Sequence, residues 1–211
     1  MLLKFVKMQG SGNDFVVIDA VRQKVQLSPE KIRFIADRHF GVGCDQVLLV
    51  ESAHHAHADF RYRIFNADGS EVAQCGNGAR CFARFVREQG LSGKDEIQVD
   101  TDAGRLVLRH TDAGQVVVNM GVPRHVPEEI PLRVESEQLL YAVEIDGQSH
   151  SFGAVSMGNP HAVLVVNDVD SAPVESLGPR LESHPLFPER VNVGFMQVLD
   201  EHHVRLRVFE R

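Results

Sequence analysis

Three short patterns recur in the same order in the two halves of this 211-residue chain, so its fold is expected to be built twice. Gly12-Asn13-Asp14-Phe15-Val16-Val17-Ile18-Asp19 is echoed by Gly158-Asn159-Pro160-His161-Ala162-Val163-Leu164-Val165, 146 residues on. His39-Phe40-Gly41-Val42-Gly43 with Gln46-Val47-Leu48 is echoed by Val191-Asn192-Val193-Gly194 with Gln197-Val198-Leu199, 151 residues on. Arg63-Ile64-Phe65-Asn66 is echoed by Arg207-Val208-Phe209-Glu210, 144 residues on. Each match is short and its residues are common ones; the shared order carries the inference. The length suits two domains of about 100 residues each. The repeat puts them at 1–121 and 122–211, with the Pro- and charge-rich stretch Pro123 to Pro131 as a linker.

Within each half the pattern is mostly short strands. Lys4 to Met8 and Phe15 to Asp19 read as strands around a Gly10-Ser11-Gly12-Asn13 turn, followed by Val47 to Val50 and Phe60 to Phe65. Ile97 to Asp100, Arg105 to Arg109 and Gln115 to Met120 read as a meander. A helix starts at Ser28-Pro29-Glu30, with Ser28 as N-cap, Pro29 at the first helical position and Ile32, Ile35 and Ala36 as its apolar stripe. A second runs from Gly76 to Gln89: Cys81, Phe82, Phe85 and Val86 share one face, Arg80, Arg84, Arg87 and Glu88 the other. The second half gives strands at Leu139 to Asp146, Phe152 to Met157, Ala162 to Val166, Asn192 to Leu199 and Val204 to Phe209, with a helix from near Pro173 to Leu181.

A net charge of -7 with the two signs interleaved argues against nucleic acid, which asks for a basic stripe. No stretch approaches the roughly 20 apolar residues that span a bilayer, and the N-terminus lacks a signal peptide's apolar region, so a cytoplasmic location is expected. Three cysteines, at 44, 75 and 81, have neither disulfide-framework nor zinc-ligand spacing. His54, His55 and His57 lack converging carboxylates or thiols and read as a solvated loop, so no metal site is expected.

What remains is a reactive thiol. Cys75 precedes Gly76-Asn77-Gly78 at a helix start, where backbone N–H groups and the helix dipole favour negative charge. That setting is expected to lower the thiol's pKa. The same N–H groups can hold a carboxylate, and the glycines let it approach the backbone closely. A thiolate beside a bound α-carboxylate is suited to removing a Cα proton, with donors on the carboxylate stabilising the enolate-like charge that develops. Most free cysteines are small buried hydrophobes. That reading fits Cys81 on the apolar stripe and is favoured for Cys44, but the polar neighbours of Cys75 oppose it. Gly76 to Cys81 lacks the preceding strand of a dinucleotide fingerprint. His161 stays open between a satisfied, half-buried histidine and a site residue.

Five blocks resemble the diaminopimelate epimerase family: Lys7 to Phe15, Arg38 to Gln46, Phe65 to Ser70 leading into Gln74 to Cys81, Met157 to His161, and Arg190 to Asn192. The resemblance implies an α+β fold of two pseudo-symmetric halves, each a curled, mostly antiparallel sheet around a central helix. It implies interconversion of LL- and meso-diaminopimelate, in lysine and cell-wall precursor synthesis, with no cofactor and no pyridoxal phosphate. One thiolate takes the Cα proton while a second thiol delivers one to the opposite face. Cys75 matches one of these thiols, and Gly76 and Asn77 match the cradle of the reacting carboxylate. Asn13, Gln46, Asn66, Asn159 and Asn192 match substrate-contacting positions, with Arg211 on the distal carboxylate. Glu210, itself a substrate contact, and His161 match residues that tune the thiols. A homodimer is a family-level expectation.

The resemblance also implies a second cysteine-glycine block with its own helix. Cys75 shifted by the last offset falls at about position 219, past Arg211. A chain without that block is expected to expose one sheet face of its second half, and two-base epimerisation is not expected from it by itself. Rival readings are another two-thiol racemase, a thiol hydrolase using Cys75 and His161, and a non-catalytic amino-acid-binding module.

Overall fold

The computed structural model describes residues 2–210 and divides into two compact units, Met1–Gly121 and Val122–Arg211. In the first unit β1 (Val6–Gly10) and β2 (Asn13–Asp19) form a hairpin, α1 (Pro29–Ala36) follows, and β3 (Gln46–Ser52) and β4 (Phe60–Asn66) come next. The two-residue β5 (Glu71–Val72) leads to α2 (Gly76–Glu88), then β6 (Glu96–Thr101), β7 (Gly104–His110) and β8 (Val116–Asn119). They form one mixed sheet in the order β1-β2-β3-β4-β6-β7-β8, with β5 on β4. Pairing is antiparallel except between β2 and β3 and between β4 and β6.

The apolar runs in β2 and β3 are continuous because a helix covers each face of the sheet. Phe15 and Val17 of β2, with Leu48 and Val50 of β3, pack in one core cluster with Phe82, Phe85 and Val86 of α2. Their neighbours Val16, Ile18, Val47 and Leu49 pack on the opposite face with Ile32 and Ala36 of α1. Phe82 anchors α2, with Phe60 and Tyr62 edge-on to it at centroid distances of 6.2 and 5.3 Å. Burying each such side chain contributes about 1.5–3 kcal/mol. Ser28 caps α1 as expected, accepting from Lys31 N at 3.4 Å.

The hairpin is tighter than its sequence suggests. The strands run to Gly10 and from Asn13, and the turn is Ser11 (φ 52°) and Gly12 (φ 94°), both left-handed as a two-residue hairpin turn requires. Serine rarely adopts that conformation, which hid the true strand ends.

The second unit holds β9 (Tyr141–Ile145), β10 (Gln148–Ser156), β11 (Pro160–Val165), α3 (Val174–Glu182), β12 (Asn192–Val198) and β13 (Val204–Phe209), with sheet order β13-β12-β11-β10-β9. Only β11 and β12 pair in parallel. The expected linker is instead part of this unit: Arg124 bridges Ser156, Pro127–Glu129 forms a 3-10 turn, and Ile130 is fully buried in the core. Pro127 and Ile130 are its buried residues, and they fasten the otherwise mostly exposed stretch to this unit.

β10-β11-β12-β13 repeats the pairing of β1-β2-β3-β4. Strand register corrects one echo: Phe15 pairs with Gln46 as His161 pairs with Asn192, so the middle offset is 146 residues rather than 151. Shared letters had aligned Gln46 with Gln197; the hydrogen-bond ladder aligns it with Asn192. α3 covers the face that α1 covers in the first unit, with Val174, Leu177 and Leu181 against Ala162, Leu164, Val193 and Phe195. On the other face, where α2 lies in the first unit, no helix of the second unit packs among the described residues. Val165 is 63% exposed there and Leu206 54%, whereas Tyr62, which stands in the first unit where Leu206 stands in the second, is 2% exposed.

Candidate active site

Cys75 is the N-cap of α2, with extended backbone (φ −146°, ψ 121°), and its thiol forms no capping hydrogen bond to its own helix. Its carbonyl accepts twice, from Ala79 N at 2.9 Å and from the Tyr62 hydroxyl at 3.1 Å. Cys75 is therefore gripped through its main chain, and its side chain is half-buried. The N–H groups of Gly76, Asn77 and Gly78 have no carbonyl one turn earlier, and no acidic residue stands in the first turn. The partial positive charge of such a helix end favours an anion, and Cys75 stands at its N-cap.

The glycines have different tasks. A Cβ on Gly76 would meet only Met120, at 3.5 Å, an ordinary contact, so no protein neighbour requires glycine there. A Cβ on Gly78 would sit 2.5 Å from the Tyr62 hydroxyl, so Gly78 makes room for the residue that holds Cys75.

Neutral amides gather beside this helix end because β2, β3 and β4 all start or finish there. Asn13 opens β2, Gln46 opens β3 and Asn66 closes β4; Gln46 is in register with both Phe15 and Asn66. Asn77 Nδ2 donates to Asn13 Oδ1 at 2.9 Å, and Gln46 Nε2 donates to Asn66 Oδ1 at 2.9 Å. Gln46 Oε1 is left as a buried acceptor without a partner. Asn13, Gln46, Asn66, Gly76, Asn77 and Cys75 are thus brought together by one sheet end and one helix start.

The second unit assembles its own set in the same way. Gly158 (φ 95°) turns the chain into Asn159 as Gly12 (φ 94°) turns it into Asn13. His161 Nε2 lies 3.1 Å from Asn159 Oδ1, and His161 is in register with the buried Asn192. Val193 pairs with Phe209, which sets Glu210 one step beyond, beside Asn192, as Asn66 stands beside Gln46. Arg211 lies outside the described residues.

Cys44 and Cys81 are 2% and 3% exposed. Burial, with Cys75 nearby as the lesser cause, pushes the Cys81 thiol up to about 11. Burial likewise raises Cys44. Both are core thiols, neutral near pH 7.

The family model of diaminopimelate epimerase matches residues 5–126 and 153–211. A diaminopimelate epimerase of Thioalkalivibrio sulfidiphilus is 60% identical over 212 residues, spanning 100% of this chain and 76% of that one. One from Aromatoleum aromaticum is 58% identical over 211 residues, with the same coverage. The chain belongs to the diaminopimelate epimerase family.

Solved structures extend the likeness in fold alone. A hydroxyproline epimerase from Agrobacterium vitis superposes with a TM-score of 0.68 at 18% identity, covering 98% of this chain and 69% of that one. A Bacillus anthracis phenazine biosynthesis protein of the PhzF family gives 0.57 at 20% identity, covering 98% and 70%. Against that background, three residues of this diaminopimelate epimerase family member stand out that sequence reading passed over. Tyr62 holds the Cys75 carbonyl, and Arg38 and Asp45 tie β2 to β3 beneath Asn13. Their signal was position: Asp14 and Asp45 each adjoin a site amide, but only the parallel pairing of β2 and β3 reveals that they meet.

Proposed function

We propose that this chain interconverts LL- and meso-diaminopimelate by removing the Cα proton on one face and returning one on the other, without a cofactor. The observation that carries the reading is Cys75 at an uncompensated helix N-terminus, ringed by the neutral amides of Asn13, Gln46, Asn66 and Asn77. The α-carboxylate would accept from the N–H groups of Gly76 and Asn77, placing Cα beside the Cys75 thiolate. As the proton leaves, negative charge spreads into that carboxylate, and donors already aimed at it stabilise the transition state more than the ground state.

The opposite face needs a second thiol. Cys44 and Cys81 cannot serve, since both are buried in separate core clusters. The second cysteine-glycine block of the family pattern supplies it in this proposal. His161 and Glu210 tune protonation of the thiols, and Asn159, Asn192, Glu210 and Arg211 complete the substrate contacts. The amide-rich set suits a substrate with two amino-acid ends, which needs many neutral donors and acceptors.

In deuterium oxide, a chain that carries the second cysteine-glycine block is expected to incorporate solvent deuterium at one Cα of diaminopimelate as the two isomers interconvert. Cys75→Ala abolishes epimerisation; undiminished turnover in that variant refutes the role given to Cys75. Tight binding of diaminopimelate with no Cα exchange in the unaltered protein would instead mark an amino-acid-binding module.

A further inference from the structure

We infer that Asp45 and Arg80 are positioning residues, which fix the orientation of the Asn13 and Asn77 amides by closing the two ends of one hydrogen-bond chain. The inference rests on the reading above, in which those amides face substrate.

The chain runs through four side chains. Arg80 Nη1 donates to Asn77 Oδ1 at 2.9 Å, Asn77 Nδ2 donates to Asn13 Oδ1 at 2.9 Å, and Asn13 Nδ2 donates to Asp45 Oδ2 at 3.5 Å. A guanidinium has only donors and an ionised carboxylate only acceptors. With a donor-only group at one end and an acceptor-only group at the other, each amide between has one satisfactory orientation. Turning Asn13 over would set its carbonyl oxygen against the Asp45 carboxylate and its NH2 against that of Asn77. Either end alone biases the chain; both together fix it.

Asp45 is itself held in a way that an isolated surface carboxylate is not. It lies against a second carboxylate, Asp14, and each accepts the other's backbone N–H: Asp14 N to Asp45 Oδ2 at 3.0 Å, and Asp45 N to Asp14 Oδ1 at 2.9 Å. Two like charges this close are tolerated because Arg38 spans them. Its Nη2 donates to Asp14 Oδ1 and to Asp45 Oδ1, both at 2.8 Å, and Nη1 reaches Asp14 Oδ2 at 3.1 Å. Lys7 Nζ adds a contact of 2.6 Å to Asp14. The planar fork matters, since a lysine ammonium is a point charge that cannot present fixed donors to both carboxylates.

The consequence for ligand binding is a polarity. One Nδ2 hydrogen of Asn77 and one of Asn13 are used within the protein, which leaves the second N–H of each amide, with the backbone N–H of Asn77, to donate to a carboxylate. An Asn13 or Asn77 amide free to turn would present an acceptor to that carboxylate part of the time and weaken its binding.

Asp45→Asn keeps the shape but makes the end able to donate as well as accept; Arg80→Met removes the other end. The first readout is nitrogen-correlated NMR of the substrate-free protein, with the Asn13 and Asn77 side-chain amides assigned by loss of signal in Asn13→Asp and Asn77→Asp. Asp45→Asn is expected to shift the Asn77 amide signals although residue 45 does not touch Asn77. The second is calorimetric affinity for meso-diaminopimelate, expected to fall about tenfold in either variant, the worth of one charge-assisted hydrogen bond. Meanwhile the rate of Cys75 alkylation by iodoacetamide stays within about twofold of the unaltered protein, which a general loosening of the fold would not allow. Unmoved Asn77 signals, or unchanged affinity, overturns the inference. If the unaltered protein binds no diaminopimelate, the functional reading fails by itself, and the NMR comparison still decides whether the chain is fixed from its ends.

Discussion

Replacing Gly78 with alanine sets two effects of known size against each other. Alanine is the better helix former by about 1 kcal/mol, so an unobstructed Gly78→Ala would stabilise α2. The site is obstructed. The new Cβ would stand 2.5 Å from the Tyr62 hydroxyl and 3.1 Å from Ile64 Cδ1, where about 3.4 Å is needed for ordinary contact. The hydroxyl lies on the ring axis, so no rotation of the ring carries it away. The ring itself is buried, edge-on to Phe82 at 5.3 Å, with its hydroxyl donating to Cys75. Relief requires the helix start or the ring to shift by most of an ångström. Overpacking of this kind costs about 1–3 kcal/mol, and loss of the Tyr62–Cys75 bond adds about 1 kcal/mol. The obstruction outweighs propensity, and Gly78→Ala is expected to destabilise the protein by about 1–3 kcal/mol. Urea unfolding followed by circular dichroism measures it, as the chain has no tryptophan to report by fluorescence. Tyr62→Phe in the Gly78→Ala background should recover at least about 1 kcal/mol, giving a coupling visible in a double-mutant cycle. A Gly78→Ala protein as stable as the original, or a penalty indifferent to the Tyr62 hydroxyl, would refute the close fit between this glycine and the residue that holds the thiol.

Other outcomes follow from the same packing. In the second unit Gly178→Ala would bring a Cβ to 2.7 Å from Phe209, directly before Glu210, and is expected to cost about 1–3 kcal/mol in urea unfolding while an exposed helix site such as Ser176→Ala costs little. The Cys81 thiol is neutral in folded and unfolded chains below pH 9; between 9 and about 11 only the unfolded chain ionises, so its contribution to stability is lost as pH rises through that window. Urea midpoints at pH 8 and pH 10.5 should show this fall, and Cys81→Ala should make it smaller. The exposed apolar face around Val165 and Leu206 should bind anilinonaphthalene sulfonate, and Leu206→Lys should lower the fluorescence without lowering the urea midpoint.

Local chemistry makes much of this protein legible in its sequence. The α2 helix was readable because its apolar and basic residues segregate at a period near 3.6, and its start because glycine, asparagine and glycine follow Cys75. The caps of α1 and the core placement of Cys81 were readable for the same reason: a few neighbouring residues decide them. The duplication was visible in order, since Gly12-Asn13 and Gly158-Asn159 occupy the same left-handed turn. Its register was not, because letters such as Gln46 and Gln197 match by chance while pairing across strands admits only one alignment. The stretch from Pro123 to Pro131 looked like a linker from composition, yet Ile130 is buried by residues that follow it in the chain.

Only the tertiary structure could bring Tyr62 to the carbonyl of Cys75, 13 positions away, or set Asp14 against Asp45 across paired parallel strands. It also showed that the runs Val16-Val17-Ile18 and Val163-Leu164-Val165 differ in burial despite their likeness. The first has a helix on both faces, the second on one. The sequence by itself determined which residues could do chemistry and which segments could be helix or strand, because those depend on side-chain type and local spacing. Which groups meet, how each amide is oriented and which face stays open depend on long-range pairing and packing, and these exist only once the chain has folded.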